Sequence, residues 1–184
     1  YMQNDQHSAP FITSQDFLQL VAKACQSYSE KSSSEGFVSF LRDHIFCNLG
    51  QVVVEIYFRD DGQNAFTPYP SGPHPVPPKD TIALPAQLPA TDPLLADLFA
   101  HHTSVTFHND LESPSFLSST GNQSHVIFPI TPDNQTTALL YVGCRENVSF
   151  PDDYQQGIRT ITAMIGSWLR SKDVISQIET SMAS

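Results

Sequence analysis

Four residues within and just after "HHTSVTFH", namely His101, His102, His108 and Asp110, have the types that could ligate a metal ion. Adjacent histidines at a helix end point in different directions, and a protonated histidine near a helix C-terminus is favourable in its own right. No metal centre is therefore expected. The thiols Cys25, Cys47 and Cys144 could supply a nucleophile and a resolving partner. They are odd in number, scattered and set in apolar patterns, which points to buried structural cysteines without a disulfide framework or a CxxC site. No Ser-His-Asp order, HExxH or Gly-rich phosphate loop is present. No catalytic residue is assigned, and the chain is expected not to be an enzyme.

The remaining candidate chemistry is a small-molecule pocket. In "QVVVEIYFR", Val52, Val54, Ile56 and Phe58 form one face of a strand, and Val53, Glu55 and Tyr57 form the other. If the first set packs on helices, Glu55 and Tyr57 face the opposite side, where Tyr141 and Leu139 from a later strand can join them. Phe66, Tyr69, His125 and Phe128 would add aromatic walls and a polar contact. Mostly apolar walls with a few polar groups suit a small ligand. The same alternation also fits plain packing with tyrosine hydroxyls reaching solvent, and a one-residue slip would exchange every side chain.

The elements that must position these residues follow from periodicity. Phe17, Leu20, Val21, Ala24 and Tyr28 recur at helical spacing behind a Thr13/Asp16 capping pair. Phe37, Phe40, Leu41, His44, Ile45 and Leu49 trace a second amphipathic helix closed by Gly50. "QVVVEIYFR" and "QNAFTPY" read as a hairpin. Nine of the 14 prolines fall between 68 and 93, so that stretch cannot hold a central strand and reads as a surface excursion with edge character. Thr91-Asp92-Pro93 starts a short helix, "TSVTFHND" is a short strand, and residues 110–124 form a second loop. "HVIFPI" and "TTALLYVGCR" make a further hairpin, and a closing helix starts where Pro151, Asp152 and Asp153 sit at its positive end.

The 184 residues suit one domain, and 40% hydrophobic composition is close to the globular norm. A net charge of −10 argues against direct nucleic-acid binding. No apolar run approaches the roughly 18 residues that a membrane span needs, and the opening "YMQNDQHSAP" is too polar for a signal peptide. A cytoplasmic location is expected. Sequons at Asn122, Asn134 and Asn147 do not alter that reading.

The stretch "TALLYVGCRENVSFPDDYQQGIRTITAMIGSWLR" resembles the last strand, aromatic-Pro-acidic corner and final helix of GAF domains, with Ile158, Ile161, Ile165, Trp168 and Leu169 at the apolar positions. "PLLADLFAHHTSVTFHND" is similar to that family's short helix leading into a strand. The resemblance covers most of residues 13–172. It implies an α+β, GAF-like fold: a central antiparallel sheet of five or six strands, with N- and C-terminal helices packed on one face and loops and short helices on the other. Residues 1–12 would be a flexible lead-in, 13–172 the sensory domain, and 173–184 the start of a linker helix or coiled coil, with Ile175, Ile178 and Met182 extending the apolar pattern. The implied function is a sensory module of a larger signalling protein (a histidine kinase, a cyclic-di-nucleotide enzyme or a transcriptional activator). It would bind a small molecule and signal through its terminal helices as a homodimer. The alternative is a ligand-free dimerisation or docking module. No cofactor is named by the resemblance. The 110–124 loop lacks the cysteine that attaches bilins, the cyclic-nucleotide constellation is absent, and the cysteines are not grouped as in the branch that reduces free methionine sulfoxide.

Overall fold

In the computed structural model, residues 10–30, 38–60, 62, 64–68, 84–108 and 114–183 are described, with the backbone alone for 27–30 and 172–183. The β-branched and aromatic run after Gln51 forms β1 (Val52–Asp60), which turns back into β2 (Ala65–Pro68). Leu88–Pro89 adds a two-residue β3, followed by β4 (Val105–His108), β5 (Ser124–Ile130) and β6 (Ala138–Cys144). The six strands form one sheet in the order β3-β2-β1-β6-β5-β4, and every neighbouring pair is antiparallel. β3 comes from the proline-rich excursion and stands at the edge, where a residue that cannot donate to the ladder is tolerated.

Alternation along the strands gives the sheet two different faces. Val54, Ile56, Val126, Phe128, Ile130, Ala138, Leu140, Val142 and Cys144 pack in one cluster with the helices α1 (Ser14–Glu30) and α5 (Asp152–Ala183). Phe17 and Ala24 come from α1, and Ile158, Ile161, Ile165 and Trp168 from α5, so the first and last helices share a face. Each fully buried side chain of this kind contributes about 1.5–3 kcal/mol. Thr13 accepts from the Asp16 amide at 3.2 Å, as the capping pair requires. The Phe-Pro-Asp-Asp corner buries Phe150, and its two aspartates occupy the first turn of α5.

The second helix departs from the regular amphipathic expectation. Here α2 runs from an α turn at residues 38–40 into a π turn, Leu41–Ile45, and then a 3-10 turn, Phe46–Asn48. The wider turn keeps both Leu41 and Ile45 buried while His44 faces solvent; Phe37 lies outside the described residues. The lead-in boundary also differs in detail. Phe11 bridges to Gly50, the Gln51 amide donates to the Pro10 carbonyl at 2.6 Å, and the Phe11 ring lies 4.6 Å from that of Tyr154. Pro10 to Ile12 thus close onto the domain.

The other face is covered by two short helices, α3 (Ala96–His101) and α4 (Ser115–Ser118), together with β3 and its flanks. α3 is led by a 3-10 turn, Pro93–Leu95, in which the Asp92 side chain accepts from the Leu94 amide at 2.9 Å.

Gly50 is the tightest point of the chain. Its φ is +115°, and a Cβ there would lie 2.1 Å from the Pro10 carbonyl oxygen. Gly50→Ala should destabilise the domain by about 1–3 kcal/mol, read as a lowered urea midpoint; an unchanged midpoint would show that the Pro10–Ile12 closure adds nothing.

Candidate ligand-binding site

The roofed face combines an apolar wall with a small polar network. β5 and β6 pair with His125 opposite Gly143 and Ile127 opposite Tyr141. His125, Tyr141 and Tyr57 are each 0% exposed. The Tyr141 hydroxyl lies 2.7 Å from His125 Nδ1 and accepts from Asn122 Nδ2 at 2.8 Å. Asn122 is held by the turn after α4: its amide donates to Thr120 Oγ1 at 3.1 Å, and Thr120 Oγ1 donates to the Leu117 carbonyl at 2.8 Å. Gly143 makes room for this network, since a Cβ there would lie 2.5 Å from both Asn122 Nδ2 and the Tyr141 hydroxyl. Tyr57 donates to the Pro85 carbonyl at 2.5 Å, and its ring meets that of Tyr141 edge-on at 6.4 Å. Leu88, Leu95, Leu98, Leu117, Ile127 and Leu139 complete the apolar wall, beside Phe66 stacked on Phe99 at 5.8 Å.

This network is uncharged at neutral pH. Burial pushes the His125 imidazole down to about 4, against an opposing pull from the nearby Asn122 backbone and with a smaller push from His108. Burial likewise raises both phenols above their ordinary range; for Tyr57 the Glu55 carboxylate and Tyr141 add to it, and for Tyr141 the Asn122 and Thr120 side chains oppose it. His125 Nε2 is buried and has no hydrogen-bond partner among the described residues. Either neutral tautomer leaves it unsatisfied: as a donor if the phenol donates to Nδ1, as a lone pair if Nδ1–H donates to the phenol. A ligand group that bonded to it would recover the roughly 1–3 kcal/mol that an orphaned buried group costs.

Of the residues expected at the pocket, Tyr57, Phe66, His125 and Tyr141 are brought together here. Phe128 is not. Three positions from His125, it has the opposite parity and packs against the terminal helices. Glu55 has the correct parity but is already engaged. Its Oε2 accepts from the Ile56 amide at 2.9 Å. The same oxygen accepts from Arg42 Nη2 at 2.8 Å and Nε at 3.0 Å, so the carboxylate ties β1 to α2. Tyr69 lies outside the described residues. Asn122, Thr120 and Gly143 were not anticipated; a glycine inside the otherwise bulky "YVGC" was the available signal of a close approach.

The other reactive residues lie elsewhere. His101 and His102 are exposed at the end of α3, His108 Nδ1 lies 3.4 Å from Ser124 Oγ, and Asp110 is outside the described residues. Cys144 is buried in the terminal-helix cluster, but Cys25 and Cys47 are exposed, contrary to expectation. Ala24 faces the core, so Cys25, one step of about 100° around the helix, faces away.

No family model and no curated protein sequence matches the chain. Solved structures do match, and they define a GAF-like fold. The phycoerythrobilin-bound GAF domain from a cyanobacterial phytochrome is 14% identical, with a TM-score of 0.68, over 89% of this chain and 100% of that one. The GAF domain of a phosphoenolpyruvate-protein phosphotransferase from Coxiella burnetii is 10% identical, with a TM-score of 0.67, over 90% and 99%. The free methionine-R-sulfoxide reductase from Neisseria meningitidis, in complex with its substrate, is 10% identical, with a TM-score of 0.65, over 94% and 99%. That reductase corrects the expectation that the chain is not an enzyme: the architecture carries catalysts as well as binding modules. Among the described residues, no helix is long and apolar enough to cross a membrane.

Two measurements check the network. Tyr141→Phe, which removes the oxygen shared by Asn122 and His125, should lower stability by about 1–3 kcal/mol in denaturant unfolding. His125 has a depressed folded-state pKa, so the unfolded chain takes up its proton first as pH falls. Its contribution is constant above pH 6.5 and is lost between there and about 4. Across that window the urea midpoint of the wild type should fall more steeply than that of His125→Gln; parallel profiles would contradict a buried neutral imidazole.

Proposed function

We propose that the chain is a cytoplasmic GAF-type sensory module of a larger signal-transduction protein, binding a small, uncharged, hydrogen-bonding molecule on the roofed face. The observation that carries this reading is the orphaned, buried His125 Nε2 beside the Tyr141–Asn122 network. Neutral His125, Tyr57 and Tyr141 favour a ligand without net charge, because a buried unpaired charge is costly. The phytochrome GAF domain with the same fold holds a bilin, which supports a ligand role for this architecture. The effector would be a histidine kinase, a cyclic-di-nucleotide enzyme or a transcriptional activator.

Signalling would pass through the terminal helices in a homodimer. Its support is an apolar groove of about 270 Å³ between α1 and α5, where Phe17, Leu18 and Val21 lie beside Gln156, Gly157 and Thr160. Leu18 is 71% exposed, as suits a residue covered by a second copy.

A thermal-shift panel of nucleotides, free amino acids, methionine R-sulfoxide and a bilin tests the ligand. A true ligand at about 100 times its Kd should raise the melting temperature by about 5–10 °C in the wild type, and by far less in His125→Gln. A panel without any shift would turn the reading towards a docking module. Sedimentation tests the dimer: the wild type should associate and Leu18→Glu should not, whereas a wild type that stays monomeric at high concentration removes helix-mediated signalling.

A further inference from the structure

A second cleft, outside the roofed network, lies between α5 and the turn joining α3 to β4. It has a volume of about 220 Å³, with Phe128 and Pro129 among its lining residues. His102, Thr103 and Ser104 line it from the turn, and Arg159 and Thr162 from α5. Among the described residues no carboxylate lines it. The donors are therefore one guanidinium, one imidazole and the Thr103 and Ser104 hydroxyls, the Thr162 hydroxyl already donating to the Arg159 carbonyl at 2.9 Å, in a chain whose 19 acidic residues outnumber its nine Lys and Arg.

Two of the arginines are held by carboxylates. Arg42 is paired with Glu55 and Arg170 with Asp133. Among the described residues Arg159 has no ion pair, and its guanidinium reaches only the neutral side-chain oxygens of Gln155 and Gln156, each at 3.4 Å. Across the cleft, helical His101 is followed by His102 in the left-handed region, at φ 54° and ψ 42°. That residue ends α3 as a left-handed cap and turns the chain into Thr103 and Ser104.

We propose that this cleft binds a small tetrahedral oxyanion, either free phosphate or the phosphate of a monoester whose remainder projects into solvent. A volume below the usual 300–1,000 Å³ of ligand pockets fits a phosphate group better than a whole nucleotide. The acidic chain repels anions at a distance, so affinity comes from the local donors, with Arg159 supplying the charge-assisted bond. An anion held between the turn and α5 would tie the roof-side helix α3 directly to the terminal helix. This inference is independent of any ligand on the roofed face.

The test titrates inorganic phosphate, and separately glycerol 3-phosphate, into the full chain at constant ionic strength. It follows the Thr103 and Ser104 amides and the Arg159 Nε–H by NMR. Saturable shifts confined to these groups are expected, with binding weakened about tenfold or more in Arg159→Gln and unchanged in Lys23→Gln. Arg159 is exposed, and a circular dichroism spectrum and melting temperature matching the wild type establish that the variant is folded. Tighter binding of glycerol 3-phosphate assigns a monoester and the reverse assigns free phosphate; either upholds the cleft. Shifts that do not saturate, that spread over the surface, or that persist in Arg159→Gln overturn it.

Discussion

Parity along β6 is the constraint on which both faces of the molecule depend. Ala138–Cys144 is buried at every position, with partners on both sides in β1 and β5. Ala138, Leu140, Val142 and Cys144 serve the terminal helices, while Leu139 and Tyr141 serve the roofed face. A shift of one residue in its register would drive Tyr141 into the helix cluster and Leu140 into the polar network. Every other placement, including that of His125 opposite Gly143, follows from that register.

The two faces are stabilised in different ways. The helix side is almost wholly apolar, close-packed and sealed by α1, α2 and α5. The roofed side includes His125, Asn122, Thr120 and two tyrosine hydroxyls among its leucines, bonded to one another or to the Pro85 and Leu117 carbonyls, with the His125 Nε2 left over. An apolar set of the same volume would be simpler to pack, and a half-satisfied network weakens a core. Retaining the polar set makes physical sense where another molecule completes it. Gly143 fits the same logic, because it gives up side-chain packing in the middle of a buried sheet to let an amide approach a phenol.

Most of the architecture was legible because it rests on periodicity. Alternation in "QVVVEIYFR" assigned both of its faces correctly, and the apolar spacing of Ile158, Ile161, Ile165 and Trp168 located the buried stripe of α5. The aromatic-Pro-acidic corner and the Thr13/Asp16 cap carried local signals that survived folding. What periodicity could not reach was contact between distant segments. Nothing in the spacing of Arg42 and Glu55 reveals that the two would meet in an ion pair at 2.8 Å. Placing Phe128 in the pocket with His125 contradicted strand parity itself. The π turn of α2 and the exposure of Cys25 show the limit of treating any apolar pattern as a uniformly buried one.

The two faces of the sheet are mechanically joined through the same strands. β5 and β6 carry His125 and Tyr141 towards the roof, and Val126, Phe128 and Leu140 towards α5. Displacing these strands would press on the buried side chains of Ile158 and Ile161. α5 is anchored at both ends of that contact: Tyr154 donates to the Leu49 carbonyl at 3.0 Å, and Arg170 Nε donates to the Pro132 carbonyl at 2.9 Å while pairing with Asp133. Pro132 and Asp133 sit in the turn between β5 and β6, so the strands bearing the polar network and the final helix share a joint. The helix continues about 20 Å beyond Arg170.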